Sequence, residues 1–247
     1  MSFKKFYSKY YNLVYKNKNY EAEVNYIVNL LKIKKIKIKN ILEFGSGTGA
    51  HAKYFFKKGF NITCIEKSEE MIKNFLLKSK KIKIINADLK KLKLLKKFDL
   101  VLSMFHVINY MVKQIDINLF FNAASKHLNK GGILIFDTWH YPFIKHSPPA
   151  RTKKIFFDNL FKMIREGRPL KVSKKIFDIT YFINIINLKN LNNYKFSEKH
   201  RIRAFDIKEL DKIAKKFDFK QVVNYAFLKY TNASKKSFAA ILIYKKI

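Results

Sequence analysis

The sequence is poor in cysteine, arginine and long apolar runs, and each shortage excludes a class of protein. Its 247 residues include one cysteine, Cys64, so no internal disulfide can form, which fits a reducing compartment. No segment is apolar over the ~20 residues that a membrane-spanning helix needs. The first five residues lead into tyrosines and lack the apolar core of a secretory signal. These absences predict a soluble, cytoplasmic protein.

Acidic residues are scarce as well, with 18 Asp and Glu against 52 Lys and Arg and a formal net charge of +34. Such a charge favours nucleic acid or an anionic membrane as a partner. Surfaces that bind phosphates or read bases favour arginine for its bidentate fork, yet only five basic residues are arginine: Arg151, Arg165, Arg168, Arg201 and Arg203. Lysine is abundant together with Ile, Asn, Phe and Tyr, and the codons of all five are AT-rich, as expected of a genome with AT bias. We therefore interpret the lysines as solvated faces, with a polyanionic or nucleotide-bearing substrate as the alternative.

What the chain does contain is a regular alternation of apolar runs and helical patterns. Continuous apolar runs predict strands at 40–44, 62–65, 82–85, 98–103 and 133–136. Helical spacing predicts helices at 20–33, 51–58, 68–78 and 118–128, and residues 129–132 give a turn signal. Strands of this kind between helices are typical of a parallel, doubly wound α/β sheet. The carboxyl ends of its strands then share one ligand-binding edge.

The pattern changes after residue 139. Short runs rich in Ile, Phe and Tyr between 153 and 203 predict a small antiparallel sheet inserted after the fifth strand. Residues 206–217 predict a helix capped by Asp206. Two last strands, at 221–228 and 238–244, are expected to complete the main sheet as a hairpin.

A glycine-rich turn directly follows the first predicted strand. Residues 41–49 read Ile-Leu-Glu-Phe-Gly-Ser-Gly-Thr-Gly. Gly45, Gly47 and Gly49 let the backbone turn sharply and approach a ligand, and N–H groups at the helix start can bind a carboxylate. Glu43, at the strand end, can reach an ammonium group. The spacing G-x-G-x-G differs from the dinucleotide pattern G-x-G-x-x-G, and an ordinary tight turn is the alternative interpretation.

Two more carboxylates follow the next two strands. Glu66 comes roughly 20 residues after the glycines, where an acidic side chain can accept from both hydroxyls of a ribose. Asp88 follows the third strand, where it can accept from an adenine amine while Leu89 and Met71 enclose the ring. The alternatives are a surface carboxylate for Glu66, a helix cap for Asp88 and core packing for Met71. Three acids at three successive strand ends are much less expected by chance than any one of them.

Segments 41–50, 65–72, 84–89, 98–110 and 128–139 together resemble a class I S-adenosylmethionine-dependent methyltransferase domain over roughly the first 140 residues. The resemblance implies a Rossmann-like sheet of seven strands, five parallel strands plus a C-terminal hairpin, with S-adenosylmethionine as cofactor and S-adenosylhomocysteine as product. The cofactor contacts that it implies are Tyr11, Tyr20, Glu43, Gly45, Ser46, Gly47, Gly49, Glu66, Lys67, Met71, Asp88, Leu89 and Met104.

A narrower resemblance lies at the edges of that region. The arm at 10–15 and 20–23, the segment 98–110 and the segment 136–140 resemble sugar N,N-dimethyltransferases and their relatives. Members of this group often methylate sugars carried on nucleotides, including surface-glycan and antibiotic precursors, and often dimerise. The resemblance implies that Tyr11 lies near the transferred methyl group, although Asn12 stands where many relatives have aspartate. Four residues are implied at the substrate mouth: Asn109, Tyr110, Trp139 and His140.

His106, just past the fourth strand, is the predicted catalytic partner of Tyr11. A histidine there can act as a base or a polar orienter for the acceptor, and the alternative is a packing histidine that transfers no proton. The histidines lack metal-ligand spacing, so no metal is expected. No Asn-Pro-Pro-Tyr motif follows the fourth strand, which disfavours amino methylation of DNA bases.

Three functions follow from these patterns. The leading one is methyl transfer to an oxygen or nitrogen of a small molecule, most specifically a sugar or nucleotide-linked sugar. The second is an RNA methyltransferase, which the charge favours, and the third is a module that binds S-adenosylmethionine without turnover. We divide the chain into an arm and helix over the active site (1–39), a cofactor-binding core (40–139), a β-rich insert for substrate or dimer contacts (140–204) and a C-terminal helix with the last two strands (205–247).

Overall fold

The computed structural model describes residues 5–77, 79 and 81–247, with side chains from residue 7 onward. In chain order the helices are α1 (Lys5–Val14), α2 (Tyr20–Ile33), α3 (Ala50–Lys57), α4 (Glu69–Lys73), α5 (Gln114–His127), α6 (Tyr141–Ile144) and α7 (Ile207–Lys215). The strands are β1 (Asn40–Phe44), β2 (Asn61–Glu66), β3 (Lys83–Asn86), β4 (Phe98–Ser103), β5 (Leu128–Trp139), β6 (Thr152–Phe157), β7 (Phe161–Lys171), β8 (Ile176–Asn187), β9 (Asn193–Arg203), β10 (Phe219–Ala226) and β11 (Ala239–Lys246). None of the described helices is both long enough and apolar enough to cross a membrane.

The main sheet has seven strands in the order β10-β11-β5-β4-β1-β2-β3. Strands β1 to β5 are parallel, while β11 is antiparallel to β5 and β10 is antiparallel to β11. The predicted α/β sheet with its C-terminal hairpin is thus confirmed, and within the hairpin β11 is the strand that runs against the parallel set. The chain order reverses between β1 and β4, which opens a crevice at the carboxyl ends of these strands.

Apolar side chains cover both faces of this sheet. In β1, Leu42 and Phe44 pack on one face against Phe120 and Phe136, while Ile41 packs on the other. Because successive strand residues point to opposite faces, a strand covered on both sides reads as one continuous apolar run. Burying each such side chain contributes about 1.5–3 kcal/mol, and this burial holds the strand ends, and therefore the crevice, in a fixed position.

The helix predicted at 68–78 is shorter in the structure, and Lys78 lies outside the described residues. Ser68 caps α4 by accepting from the Met71 N–H, but α4 ends at Lys73. Past that point the Leu76 N–H donates to the Thr48 carbonyl at 2.8 Å. The chain therefore leaves the helix because it packs against the glycine turn instead.

The turn predicted at 129–132 lies inside β5. Phe98 pairs with Leu128 and Leu100 pairs with Ile133, so the intervening residues of β5 form an irregularity between two paired segments. Gly131 has φ +75°, a conformation that glycine adopts easily. The glycines thus mark a distortion within a strand, not its beginning. Helix α5 also begins earlier than predicted, at Gln114.

The insert after β5 is a four-stranded antiparallel sheet in the order β6-β7-β8-β9, as predicted. Its buried residues Met163, Ile183 and Ile185 pack against Tyr7 and Tyr10 of α1. The N-terminal arm and the insert, which are far apart in the sequence, therefore form one layer. This layer covers the crevice at the strand ends.

Candidate active site

The crevice is a pocket of about 390 Å³ between the ends of β1 to β4 and the layer formed by the arm and the insert. It brings together most of the predicted site residues. Those that line it are Tyr11, Tyr20, Gly45, Ser46, Gly47, Glu66, Lys67, Met71, Asp88, Leu89, Met104, His106, Asn109, Tyr110 and Trp139. Residues from strand ends, arm and insert thus meet in one cavity.

Three predicted site residues do not line the pocket. Glu43 is buried behind the glycine turn, and Gly49 is covered by the ring of Phe75. The His140 ring is buried elsewhere, with Nδ1 3.1 Å from the Ser234 carbonyl oxygen, and burial lowers its pKa. His140 therefore contacts the loop before β11 and not the pocket.

The glycine turn has the backbone shape that its sequence predicts. Gly45, Gly47 and Gly49 all have positive φ, between +57° and +73°. A Cβ at Gly49 would lie 2.1 Å from the Phe75 ring, whereas a Cβ at Gly47 would meet nothing within 4 Å. Gly49 is thus required by close packing as well as by φ, while Gly47 leaves free space on the pocket side.

Glu66 is the carboxylate most firmly held in the pocket. One carboxylate oxygen accepts from the Gly47 N–H at 2.9 Å and the other from the Ser68 N–H at 2.8 Å. These bonds tie the end of β2 to the turn after β1. Asp88 lines the pocket too, and it also caps a short 3₁₀ turn by accepting from the Lys90 N–H at 2.9 Å. The cap interpretation is therefore correct for Asp88, and it does not remove the residue from the pocket.

Glu43 belongs to a buried chain of titratable side chains beneath the turn. Burial, and then repulsion by Glu66, raise the pKa of Glu43 to about 8. One of its carboxylate oxygens lies 3.9 Å from His51 Nδ1. His51 Nε2 lies 2.7 Å from Glu23, which also pairs with Lys18. Among the described residues no lysine or arginine pairs with Glu43, and its raised pKa keeps the carboxyl protonated at neutral pH.

His51 lines the pocket but was not predicted. The signal that could have identified it is its place in the first turn of α3, directly after the glycine turn. Its ring also packs edge-on against Tyr20, with centroids 5.0 Å apart. His51 therefore joins the arm to the cofactor-binding turn.

His106 is held by a carboxylate that sequence reasoning missed. Its Nδ1 lies 2.8 Å from one oxygen of Asp137, and its backbone N–H donates to the other oxygen at 2.9 Å. Burial of Asp137 opposes its ionisation, but the adjacent His106 prevails and lowers the pKa of this carboxyl. With Nδ1 directed at Asp137, the other ring nitrogen is the one free to serve the pocket. Asp137 could have been identified from its position near the end of β5.

The backbone around His106 is strained. Phe105 and His106 have φ of +65° and +64°, a left-handed conformation that costs about 1–2 kcal/mol for a residue with a Cβ. The hydrogen bond from the His106 backbone N–H to Asp137, and the short contact of Nδ1 with the same carboxylate, hold the second of these residues in place. Strain that is held by buried partners is often found at functional sites.

The side of the pocket opposite the glycine turn is an aromatic wall. We use this name for Tyr7, Tyr11, Tyr15, Tyr110, Trp139, Tyr181, His200 and Phe238, all of which line the pocket. Arg165 supports the wall: its guanidinium donates to the Tyr7 hydroxyl at 3.0 Å and lies 4.6 Å from the centre of the Tyr181 ring. The wall therefore combines flat apolar faces with phenol groups, as sugar-binding and base-binding surfaces do.

Asn109 and Asn12 hold the pocket together. The Asn109 amide donates to the Arg203 carbonyl at 2.6 Å, and its oxygen accepts from the Trp139 N–H at 3.3 Å. Asn12 accepts from the Thr48 hydroxyl at 2.7 Å and donates to the Asn74 carbonyl at 3.3 Å. An aspartate at position 12 could not make that second bond. Asn12 thus docks the arm onto the glycine turn and α4.

Residues 42–136 match the family model described as a methyltransferase domain. A curated relative, the dTDP-3-amino-3,4,6-trideoxy-alpha-D-glucopyranose N,N-dimethyltransferase of Streptomyces venezuelae, is 26% identical over 134 residues, which are 53% of this chain and 56% of that protein. The chain therefore spans about half the length of the curated relatives it matches.

Two solved structures share the fold over nearly the whole chain. Streptomyces venezuelae DesVI is 18% identical with a TM-score of 0.82, and the match covers 98% of each chain. The S-adenosylmethionine-bound amino pentose methyltransferase CalS10 from Micromonospora echinaspora is 16% identical with a TM-score of 0.78, covering 100% of this chain and 98% of that one. Residues 42–136 thus match a methyltransferase domain, and the whole chain shares the fold of these solved methyltransferases. CalS10 was solved with S-adenosylmethionine bound. No group of three or more His, Cys, Asp or Glu among the described residues could hold a metal ion.

Proposed function

We propose that the chain transfers methyl groups from S-adenosylmethionine to the amino group of a nucleotide-linked sugar. One observation carries the proposal: a single pocket joins the acid-and-glycine edge of the sheet to an aromatic wall built from the arm and the insert. The two curated relatives are named for N,N-dimethylation of amino sugars on dTDP. That substrate class combines a flat base, a diphosphate and an amine.

The cofactor end supports the proposal through charge and shape. Glu66 is fixed by two backbone N–H groups and offers its remaining lone pairs to hydroxyl donors, which suits the two hydroxyls of a ribose. Glu43, which is buried behind the glycine turn with its pKa raised to about 8, would ionise when an ammonium group binds near it. When bound, the cofactor supplies an electrophilic methyl group on a positively charged sulfur.

The acceptor end supports the proposal through orientation. An amine needs a free lone pair and a fixed direction of approach, and alignment of this kind contributes on the order of 7–11 kcal/mol in favourable cases. His106 is held in position by Asp137. Its second ring nitrogen can accept a hydrogen bond or a proton from the amino group of the sugar. Tyr11 lies in the same pocket, and burial raises its pKa well above the ordinary value, so its phenol stays a hydrogen-bond donor.

The test is to incubate the purified chain with S-adenosylmethionine and a panel of dTDP-linked sugars, and to measure product masses. The panel contains amino sugars, the matching hydroxyl sugars and a short RNA. We expect one or two methyl groups on an amino sugar and none on its hydroxyl counterpart. The test variant Glu66→Gln is expected to lose most activity. The matched control is Glu69→Gln, which changes an exposed carboxylate three residues away and is expected to keep its activity.

Three outcomes decide between the functions. Methylation of amino sugars supports the proposal. Methylation of RNA, with sugars untouched, contradicts it and favours the nucleic-acid function that the net charge suggests. Cofactor binding without any product across the panel favours a module that binds without turnover.

A further inference from the structure

The far end of the insert exposes leucines at both of its hairpin turns. The turn between β6 and β7 carries Leu160, and the turn between β8 and β9 carries Leu188 and Leu191, which are 42%, 44% and 75% exposed. The Leu188 N–H donates to the Leu160 carbonyl at 2.8 Å, so the two turns lie side by side. Phe157, the last residue of β6, is 56% exposed next to the first turn. We call these four side chains the apolar tip.

Hydrogen bonds within each turn hold the leucines in their exposed positions. The Asp158 side chain accepts from the Leu160 N–H at 2.8 Å, and the Asn187 carbonyl accepts from the Leu191 N–H at 2.9 Å. Leu191 has φ +57°, a left-handed conformation that is uncommon for a residue with a bulky side chain. Gly, Pro, Asn, Asp and Ser dominate at turns. The backbone therefore directs leucines toward water at positions where polar residues are usual.

Lysines surround the apolar tip. Residues 154–162 and 184–195, all of which the structure describes, form the strand ends and turns around it. Their one acid, Asp158, is already bonded within its turn. Their basic residues are four lysines, one of which has its ammonium group 5.7 Å from the centre of the Phe157 ring: Lys154, Lys162, Lys189 and Lys195. The apolar tip thus lies within a positively charged surface.

We propose that the apolar tip docks the chain onto the surface of an anionic lipid bilayer. The leucines and Phe157 enter the boundary between headgroups and acyl chains, and the four lysines contact lipid phosphates. Interfacial binding of this kind gains strength both from buried apolar area and from attraction to anionic lipid. Large exposed apolar patches rimmed by polar residues are typical of membrane or protein contacts.

The apolar tip and the pocket lie at different ends of the insert. From Tyr181, which lines the pocket, β8 continues for six residues to Asn187, which is about 20 Å of extended strand. None of the four side chains of the tip lines the pocket. Membrane contact therefore does not depend on which acceptor the pocket takes, and the two functions can be measured separately.

Two other partners fit the apolar tip less well. Single-stranded nucleic acid binds by stacking its bases on aromatic faces, whereas three of the four side chains of the tip are leucines. A second copy of the chain would bring lysines against lysines, and like charges that face one another oppose association. An anionic bilayer supplies both an apolar layer and the negative charge that complements the lysines.

Cosedimentation of the full chain with vesicles tests the inference. The vesicles contain phosphatidylcholine alone, or phosphatidylcholine and phosphatidylglycerol in equal parts. Because a net charge of +34 attracts the chain to any anionic surface, the decisive comparison is between variants of equal charge. Leu188→Ser combined with Leu191→Ser should lower the affinity for the anionic vesicles by about tenfold or more. The matched control is Leu95→Ser, which changes an exposed leucine before β4 and should bind as the wild type does.

A second pair of variants tests the contribution of charge. Lys189→Gln combined with Lys195→Gln should weaken binding to the anionic vesicles by about tenfold and reduce its dependence on salt. Lys57→Gln combined with Lys58→Gln, which changes two exposed lysines at the end of α3, is the control of equal charge. It should weaken binding by less than about twofold, because attraction to a charged surface falls off within a Debye length.

Fluorescence shows whether the tip enters the bilayer. The emission of Leu191→Trp should move to shorter wavelength when anionic vesicles are added, and the emission of Leu95→Trp should stay unchanged. Trp139, the single native tryptophan, gives the same background in both variants. A shift of equal size in the two variants, or no shift in Leu191→Trp, overturns the inference.

Three further results would also overturn it. The wild type would fail to bind anionic vesicles at low salt, or the paired leucine variant would bind them as tightly as the wild type. The third result is that this variant keeps vesicle binding but loses a dimer in sedimentation or loses binding to an oligouridylate, which assigns the tip to a second copy or to nucleic acid. The affinity of the same variant for S-adenosylhomocysteine should equal that of the wild type, so failure of this inference leaves the proposed function standing.

Discussion

The two ends of the pocket are built in different ways. The cofactor end consists of a backbone turn and carboxylates at three neighbouring strand ends, all within the segment 43–88. The acceptor end consists of side chains from α1, from the segment after β4 and from β8 and β9, so it joins the first helix to the insert. One end is shaped by main chain and the other by side chains.

This difference decides how much sequence variation each end of the pocket can tolerate. The cofactor end uses glycines with positive φ and backbone N–H groups, features that tolerate little variation because the chain must follow one path. The acceptor end uses tyrosines and histidines on a separate layer, which can change without disturbing the sheet. Changes at one end should therefore leave the binding function of the other end intact.

The largest effect is expected at Gly49. Gly49→Ala adds a Cβ 2.1 Å from the Phe75 ring at φ +73°, so left-handed strain and overpacking should lower the free energy of unfolding by about 2–5 kcal/mol. The matched change Gly47→Ala meets open space at φ +57° and should cost about 1–2 kcal/mol. Urea unfolding measures both. Equal losses at the two glycines would show that Phe75 does not constrain the turn.

Glu66→Gln should give the second largest effect. It removes the charge that accepts from two backbone N–H groups and, in our proposal, from the ribose. The expected cost is about 2–3 kcal/mol, or about 30- to 140-fold in affinity for S-adenosylhomocysteine. The control Glu69→Gln should bind as the wild type does. Calorimetry decides, and an unchanged affinity in Glu66→Gln would place the cofactor elsewhere.

Asp137→Asn should weaken turnover without weakening cofactor binding. The amide cannot replace the carboxylate beside His106 Nδ1, so kcat should fall about tenfold to a hundredfold. The kcat of His106→Ala should fall at least as far. The kcat of the double variant should fall no further than that of His106→Ala, because Asp137 acts through the His106 ring. Asp116→Asn, which alters a carboxylate paired with Lys90, is the control.

Full turnover in His106→Ala would remove this histidine from the base role. It would leave the packing alternative, in which the ring only fills space between Phe105 and Trp139.

The smallest effect concerns Glu43 and pH. The folded state holds the proton of this carboxyl up to about pH 8, whereas the unfolded chain releases it near 4.5, so its contribution makes stability fall as pH rises between these values. A bound ammonium group favours the ionised form, so the affinity for S-adenosylhomocysteine should rise about three- to tenfold between roughly pH 6.5 and 8.5. Glu43→Gln should flatten both profiles, while Glu69→Gln should not. A profile that keeps its slope in Glu43→Gln would assign it to another group.

The sheet could be predicted because each parallel strand is buried on both faces. Strands β1 and β4 and helix α2 begin and end at the predicted residues. The cofactor end could be predicted from the sequence for the same reason, since acidic residues that follow buried parallel strands must meet at one edge of the sheet. Irregularities escaped prediction: the distortion around Gly131 and the early end of α4 depend on contacts with other segments.

The acceptor end was predicted only where it adjoins the core. Tyr11, Tyr110 and Trp139 lie in segments that resemble a known family, whereas Tyr7, Tyr181 and His200 are placed by the register of the insert and the docking of α1. In β9 the buried positions Glu198, His200 and Ile202 alternate with exposed basic residues. Both faces of that strand carry polar residues, so periodicity alone could not show which face is inside.

The central claim is that one pocket holds the cofactor at the strand ends and an amino sugar against the aromatic wall. A crystal structure with S-adenosylhomocysteine and a dTDP-linked amino sugar tests it directly. Ribose hydroxyls bonded to Glu66 and a sugar packed against the aromatic wall are the expected result. A nucleotide sugar bound outside the aromatic wall, or a ribose that does not touch Glu66, would contradict it.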